Sequence, residues 1–199
     1  MITRKEMTRM LLKEGLLSCL ANNSFESVTV TSLCKASGIT RSTFYLHYSN
    51  IMEIVDDLVD DAIAYSKPGM VDNNNLQTIA NTLSAASNSV SLREAYDSIF
   101  DRLPLCQRII RHKKYLPLFL DEQISEYVLQ RIIGREKDRQ GLVIAESLGV
   151  SFDVGVSVFV FLVHGLYAVN KQYKWSQSDE WLEAQKIIFE LVYRGLQRR

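Results

Sequence analysis

Apolar residues recur along this chain at three- and four-residue steps, and no long alternating pattern of the kind a half-buried strand needs is present. Residues 3–21 carry Met7, Met10, Leu11, Leu17 and Leu20 at helical spacings, with Arg4, Lys5, Arg9 and Lys13 largely on other faces. Asn22-Asn23-Ser24 reads as a turn. Thr29 is then an N-cap for a short helix through Ser37 that points Val30, Leu33 and Cys34 inward. Gly38 tolerates the left-handed conformation that ends many helices. Thr40 is a second N-cap, opening a helix through about His47. Asn50 caps a longer helix, Ile51 to Ser66, whose Ile51, Ile54, Val55, Leu58, Val59 and Ala62 keep the same step.

One clear compositional break follows, Ser66-Lys67-Pro68-Gly69 and then Asp72-Asn73-Asn74-Asn75. It divides the chain into a first domain, 1–66, and a second, 75–199. The second reads as helices near 76–89, 92–102, 105–113, 117–133, 151–174 and 178–197. Val154 to Val169 is apolar almost all round, which predicts burial on more than one side. In 178–197, Trp181, Ala184, Ile188, Leu191 and Gly195 form a stripe flanked by Leu182, Ile187, Phe189, Val192 and Leu196, while Arg194, Arg198 and Arg199 suit the negative helix end. The expected fold class is all-α, and no internal repeat is evident.

Composition narrows the class without naming a function. Of 199 residues 47% are hydrophobic, ample for a packed core and incompatible with disorder. The formal charge is zero, so a nucleic-acid or membrane partner must show in local charge. Residues 1–50 hold the bases Arg4, Lys5, Arg9, Lys13, Lys35 and Arg41 against Glu6, Glu14 and Glu26, whereas Glu53, Asp56, Asp57, Asp60 and Asp61 crowd the next helix. The latter read as an acidic solvent face in preference to a divalent-cation surface. Cys19, Cys34 and Cys106 are odd in number with no CxxC spacing, which suits reduced thiols used in packing. The N-terminus lacks the uninterrupted apolar stretch of a signal peptide, and 154–169 falls short of the ~20 residues a bilayer span needs. The expectation is a soluble, cytoplasmic protein without a membrane partner.

Two short helices joined by a tight Gly-containing turn, 29–37 and 40–47, form a helix-turn-helix. Val30, Leu33, Ile39 and Phe44 would anchor it, leaving Arg41, Ser42, Thr43, Tyr45 and Leu46 on its N-terminal and outer sides. Such a helix can enter the major groove, and helix N-termini can receive phosphate oxygens. The run FESVTVTSLCKASGITRSTFYLHY, residues 25–48, closely resembles the DNA-binding head of TetR-type transcriptional regulators, a likeness extending over roughly residues 4–66. It rests on Phe25, Thr29, Val30, the Leu33–Ala36 helix, Gly38, Ile39, Thr40, Thr43, Tyr45, His47 and Tyr48. Past residue 70 only the helical layout is similar.

The resemblance implies that Thr29 holds a phosphate, Thr40 caps the recognition helix and Thr43 meets a base edge or its sugar-phosphate. Tyr45 would reach the backbone and His47 a phosphate. Arg41 and Ser42 would read sequence, Arg41 gripping guanine in a bidentate fork, and Leu46 would touch a thymine methyl. Three positions depart from the family: Ser24 replaces a glycine, Ile51 a backbone-binding lysine and Cys34 an alanine. Phosphate contacts then rest on Arg4, Lys5, Arg41 and uncharged donors. The implied protein is a transcriptional regulator, most often a repressor. It would be a homodimer through residues 151–197 that places two recognition helices about 34 Å apart on a palindromic operator and answers to a small apolar or amphipathic effector.

No HExxH, CxxC, GxGxxG or Walker-type loop occurs, so neither a cofactor nor a metal is expected, nor is an enzyme. His164 reads as a core histidine, and Arg108–Lys114, with His112, as a solvated basic run. Tyr96, Phe100, Tyr115, Phe119 and Tyr127 read as core, a subset lining a pocket. Rival readings are a helical protein-interaction adaptor without specific DNA binding and, further off, an all-α enzyme.

Overall fold

Ten α-helices and no β-strand occupy the residues described by a computed structural model of the chain, which are 3–65, 75–103, 107–108 and 113–196. The fold is all-α. In chain order the helices are α1 (Arg4–Leu20), α2 (Val30–Ser37), α3 (Arg41–His47), α4 (Ile51–Tyr65), α5 (Asn75–Ser84), α6 (Ser89–Ser98), α7 (Leu116–Leu120), α8 (Ser125–Leu148), α9 (Phe152–Gln172) and α10 (Asp179–Leu196). Cys106, His112, Arg198, Arg199, the 66–74 linker and most of the expected 105–113 helix lie outside the described residues.

The chain forms two compact units, 1–65 with 112–132, and 66–111 with 133–199. The first therefore takes in a segment that the sequence assigns to the second domain. Its reason is packing at long range: Leu118, Phe119, Ile124 and Val128 are buried, and polar ties join the segment to the N-terminal helices. Asp121 Oδ2 accepts the Phe25 N–H at 2.7 Å. Lys114 pairs with Glu14 at 2.5 Å and Arg131 with Asp56 at 3.1 Å, and the Tyr127 hydroxyl donates to Asp56 at 2.6 Å.

Local capping sets the boundaries of the first unit's helices. Thr3 and Thr29 each form a capping box, with Glu6 and Ser32 as reciprocal partners. Thr40 caps α3 and Asn50 Oδ1 accepts the Glu53 N–H. Of the stripe expected for α1, Leu17 and Leu20 are buried and the rest is not. Met7, Met10 and Leu11 are exposed, whereas Thr8, Leu12, Leu16 and Leu20 face inward. Gly15 decides the rotation, because a Cβ there would stand 2.9 Å from Ser37 Cβ and 3.3 Å from Leu33 Cδ1. Only this face lets α2 approach so closely. Leu33, Phe44, Ile54, Val55 and Leu58 complete a core with no accessible surface.

In the second unit α10 packs against α5 and α6, fastened by Ser84 to Glu190 (2.7 Å), Arg93 to Asp179 (2.8 Å) and Lys186 to the Ala86 carbonyl (2.9 Å). The sequence reading leaves 134–150 unassigned, yet α8 runs through both Gly134 and Gly141. Gly141 earns its place by contact, since a Cβ at Gly155 of α9 would overlap the Gly141 carbonyl oxygen and reach Ala145 Cβ at 2.9 Å. The expectation of burial on several sides of α9 fails within one chain. Gly155, Val163, Leu166, Tyr167 and Asn170 are buried, but Phe161 is 72% exposed. With 21 residues, α9 is long and apolar enough by length and composition to cross a bilayer, and it is the one described helix that is. The inward stripe of α10 is also rotated from the expected one, to Trp181, Leu182, Gln185 and Phe189. Ala184 and Ile188 are half-buried, and Leu191 is exposed.

Candidate nucleic-acid interface

The α2–α3 pair is built from residues that act locally. Thr29 Oγ1 accepts the Ser32 N–H at 3.1 Å and Ser32 Oγ accepts the Thr29 N–H at 2.9 Å. The first free N–H groups of α2 are then those of Val30 and Thr31, and the Thr29 N–H expected to meet a phosphate is already used by Ser32. Gly38, at φ +67°, ends α2 in the left-handed region, and the Ile39 N–H returns to the Cys34 carbonyl at 3.0 Å. Ile39 is half-buried. At the start of α3, Thr40 Oγ1 accepts the Thr43 N–H at 3.2 Å. The same oxygen lies 3.0 Å from Ser42 Oγ and 2.8 Å from Thr43 Oγ1. Three hydroxyls thus form one small cluster at a helix N-terminus.

Phe44, with no exposed surface, anchors α3. Its ring meets Tyr45 edge-on at 5.1 Å and lies 6.3 Å from Tyr48. Around this anchor Arg41 and Ser42 are exposed, and Tyr45 and Leu46 are 54% and 81% exposed. Thr43 and His47 are half-buried, and His47 Nδ1 is a buried atom without a hydrogen-bond partner.

Charge in the first unit is arranged by pairing. Arg9 and Lys13 of α1 stand four residues apart, as do Asp57 and Asp61 of α4, and they form ion pairs Arg9–Asp57 and Lys13–Asp61. The Tyr48 hydroxyl donates to the same Asp57 oxygen at 2.5 Å, with the Arg9 guanidinium 4.8 Å above its ring. Arg9's own bond to Asp57 raises its pKa, while burial, followed by the bond to Asp57, pushes the Tyr48 hydroxyl well above its ordinary value. Sequence reasoning missed the network, reading these acids as a solvent face. The matched four-residue spacing in the two helices was the available signal. With these acids committed, Arg4, Lys5, Lys35 and Arg41 are the exposed cations of the N-terminal helices that join no ion pair among the described residues. Cys34 is buried and Cys19 half-buried, and burial raises both thiol pKa values, which suits packing over reactivity. No group of His, Cys, Asp and Glu residues that could hold a metal occurs among the described residues.

Of the five aromatics read as core, Tyr96, Tyr115 and Phe119 are buried, Phe100 is half-buried and Tyr127 is exposed. His164 is half-buried. The second unit carries a buried polar chain that no sequence pattern announced. The Tyr96 hydroxyl donates to Gln107 Oε1 at 3.2 Å, and Gln107 Nε2 donates to Gln185 Oε1 at 3.0 Å. Beside it the Trp181 indole donates to Asn170 Oδ1 at 2.9 Å, with the Tyr96 ring edge-on at 5.1 Å. Gln107, Asn170 and Gln185 have no accessible surface, yet Asn170 Nδ2 and Gln185 Nε2 find no acceptor. Each such donor costs about 1–3 kcal/mol.

The chain matches no protein-family model and none of the curated proteins.

Proposed function

We propose that this chain is a DNA-binding transcriptional regulator of the TetR type, a repressor that binds a palindromic operator as a homodimer and is released by a small-molecule effector. The observation that carries the reading is the outer surface of α3. Arg41, Ser42, Tyr45 and Leu46 stand exposed on a short helix fixed by the Thr40 cap and the buried Phe44. A helix-turn-helix presents such residues to base edges. Val30, Thr31, Arg41 and Ser42 offer the helix-start N–H groups for phosphate oxygens, and Arg4, Lys5 and Arg41 supply positive charge that joins no ion pair among the described residues.

Pairing of two copies is supported by the apolar surface that one chain leaves uncovered on the last two helices, with Phe161 at 72% and Leu191 at 66% exposed. An effector can act only through a differential affinity for two arrangements of the heads, with coupling of about 1–3 kcal/mol typical.

Selection of bound duplexes from a random pool tests the reading. The expected outcome is a two-fold symmetric site, and Arg41→Ala is expected to weaken its binding by about 1–3 kcal/mol while relaxing specificity at one base pair. Binding no duplex in preference to scrambled competitor at modest salt would refute it. A protein-interaction adaptor, favoured by Ile51 and the zero net charge, would be indifferent to Arg41→Ala.

A further inference from the structure

The two buried amide donors without acceptors lie on adjoining parts of one corner of the second unit, where α9 gives way to α10. Asn170 is its hub. Its main-chain oxygen accepts the Trp175 N–H at 2.8 Å, its Oδ1 holds the Trp181 indole, and its Nδ2 is left over. Gln185 follows Trp181 by one helical turn, so its spare Nε2 belongs to the same face of α10. Four aromatic rings crowd these amides. Tyr96 meets Trp181 edge-on, and Tyr167 meets Trp175 edge-on at 5.3 Å. The connecting turn is strained, since Lys174 and Trp175 are consecutive non-glycine residues with φ of 49° and 58°.

We propose that this corner is a binding site for a small aromatic molecule carrying a carbonyl-type acceptor. Asn170 Nδ2 and Gln185 Nε2 donate to the acceptor, and the ring packs on Trp181 and Tyr96, which part from their 5.1 Å edge-to-face contact to admit it. An apolar molecule of the same shape leaves both donors unpaired, and a site built to bond an acceptor rejects the analogue that lacks one. Because the donors are fully buried, admission requires the turn after α9 to lift, and lifting it relieves two left-handed residues. The inference specifies the effector chemistry of the regulator reading and rests on it for biological meaning. The binding itself is measured without DNA, so failure of either claim is seen separately.

The test uses the full chain with acetophenone and benzamide as probes and ethylbenzene as the ring without an acceptor. Trp175 and Trp181 are the chain's two tryptophans, so intrinsic fluorescence reports this corner alone. Acetophenone or benzamide is expected to give a saturable tryptophan response and a raised melting temperature, with ethylbenzene at least about tenfold weaker. Asn170→Leu and Gln185→Met are expected to lose the preference for the ketone; each also strands a buried partner, the Trp181 indole or Gln107 Nε2, so each is expected to melt somewhat lower than the parent. Equal binding of ethylbenzene and acetophenone overturns the proposal, as does unchanged ketone binding by both variants. No saturable response to either probe at millimolar concentration also overturns it, and assigns the donors to buried water only. Should a variant fail to fold, the comparison of probes on the parent chain decides.

Discussion

In the first unit the ionic groups find each other at the surface of a mostly apolar core, whereas in the second polar amides are taken inside and apolar side chains are left outside. Arg9, Lys13 and Arg131 pair with Asp57, Asp61 and Asp56, over Leu12, Leu16, Leu33, Phe44 and Ile54, all without exposed surface. In the second unit Asn170 and Gln185 are buried with donors to spare, and Phe161, Ile187 and Leu191 face solvent. A unit of the first kind still leaves Leu46 in solvent and His47 Nδ1 buried without a partner. One of the second kind gains stability only when something else arrives, an acceptor for its interior and an apolar partner for its exterior. On the regulator reading proposed above, that contrast divides a rigid reading head from a responsive body.

The largest expected effect sharpens the contrast at the two helix crossings. A Cβ at Gly15 would stand 2.9 Å from Ser37 Cβ and 3.2 Å from the Ser37 backbone nitrogen, whereas one at Gly155 would overlap the Gly141 carbonyl oxygen. Both meet helix backbone, and the overlap at Gly155 is the deeper. Gly155→Ala is therefore expected to cost about 3 kcal/mol through forced separation of α8 and α9. Gly15→Ala is expected to cost about 1 kcal/mol, part of its overpacking being offset by better helix propensity. Urea denaturation of both variants checks this, and equal losses would mean that the second unit yields as readily as the first.

These crossings also mark what the sequence could and could not reveal. Caps were legible because capping acts within four residues, so Thr29, Gly38, Thr40 and Asn50 occupy the expected places. The exposed residues of α3 were legible for the same reason, once Phe44 was taken as the anchor. Rotation of α1 was not, because Met7–Met10–Leu11 and Leu12–Leu16–Leu20 are both helical stripes and only the approach of α2 at Gly15 chooses between them. Glycines at 134 and 141 look like stops, yet α8 continues because α9 needs the space at one of them. Association of 112–132 with the N-terminal helices depends on partners nearly a hundred residues away, such as Phe25 and Asp121, and no periodicity encodes it. The sequence reading assigns no place to Gln185 or Asn170, and only the tertiary structure puts these polar side chains inside.

A smaller effect tests the exterior of the second unit. Leu191→Glu or Phe161→Glu puts a charge on a surface that is exposed in one chain, so stability of the isolated chain is expected to change by no more than about 0.5 kcal/mol. Association of two copies is expected to weaken by about 2 kcal/mol, because a carboxylate would be buried in an apolar seam. Leu46→Glu in the first unit, at a still more exposed leucine, is expected to leave association unchanged. Sedimentation of the three variants separates these outcomes, and a monomeric parent at micromolar concentration would remove the dimer from the account.

The smallest effect concerns the pairing network of the first unit and appears only in alkali. Burial and the bond to Asp57 raise the Tyr48 pKa, burial raises that of Tyr115, and the bond to Asp56 raises that of Tyr127. In the unfolded chain a tyrosine releases its proton near pH 10, while the folded chain keeps these three protonated to higher pH. Below pH 10 both states hold the protons and the stabilisation is fully present. As pH rises beyond 10 the unfolded state loses protons that the folded state retains, so stability falls with rising pH. Tyr48→Phe keeps the ring beneath Arg9 and removes the titrating group. It is expected to lower stability at neutral pH by about 1 kcal/mol, the net worth of one hydrogen bond, and to flatten the decline measured by urea midpoints between about pH 8 and 11. A variant that declines as steeply as the parent would show that Asp57 is held by Arg9 alone, and that the tyrosine at the end of α3 is packed there without being fastened.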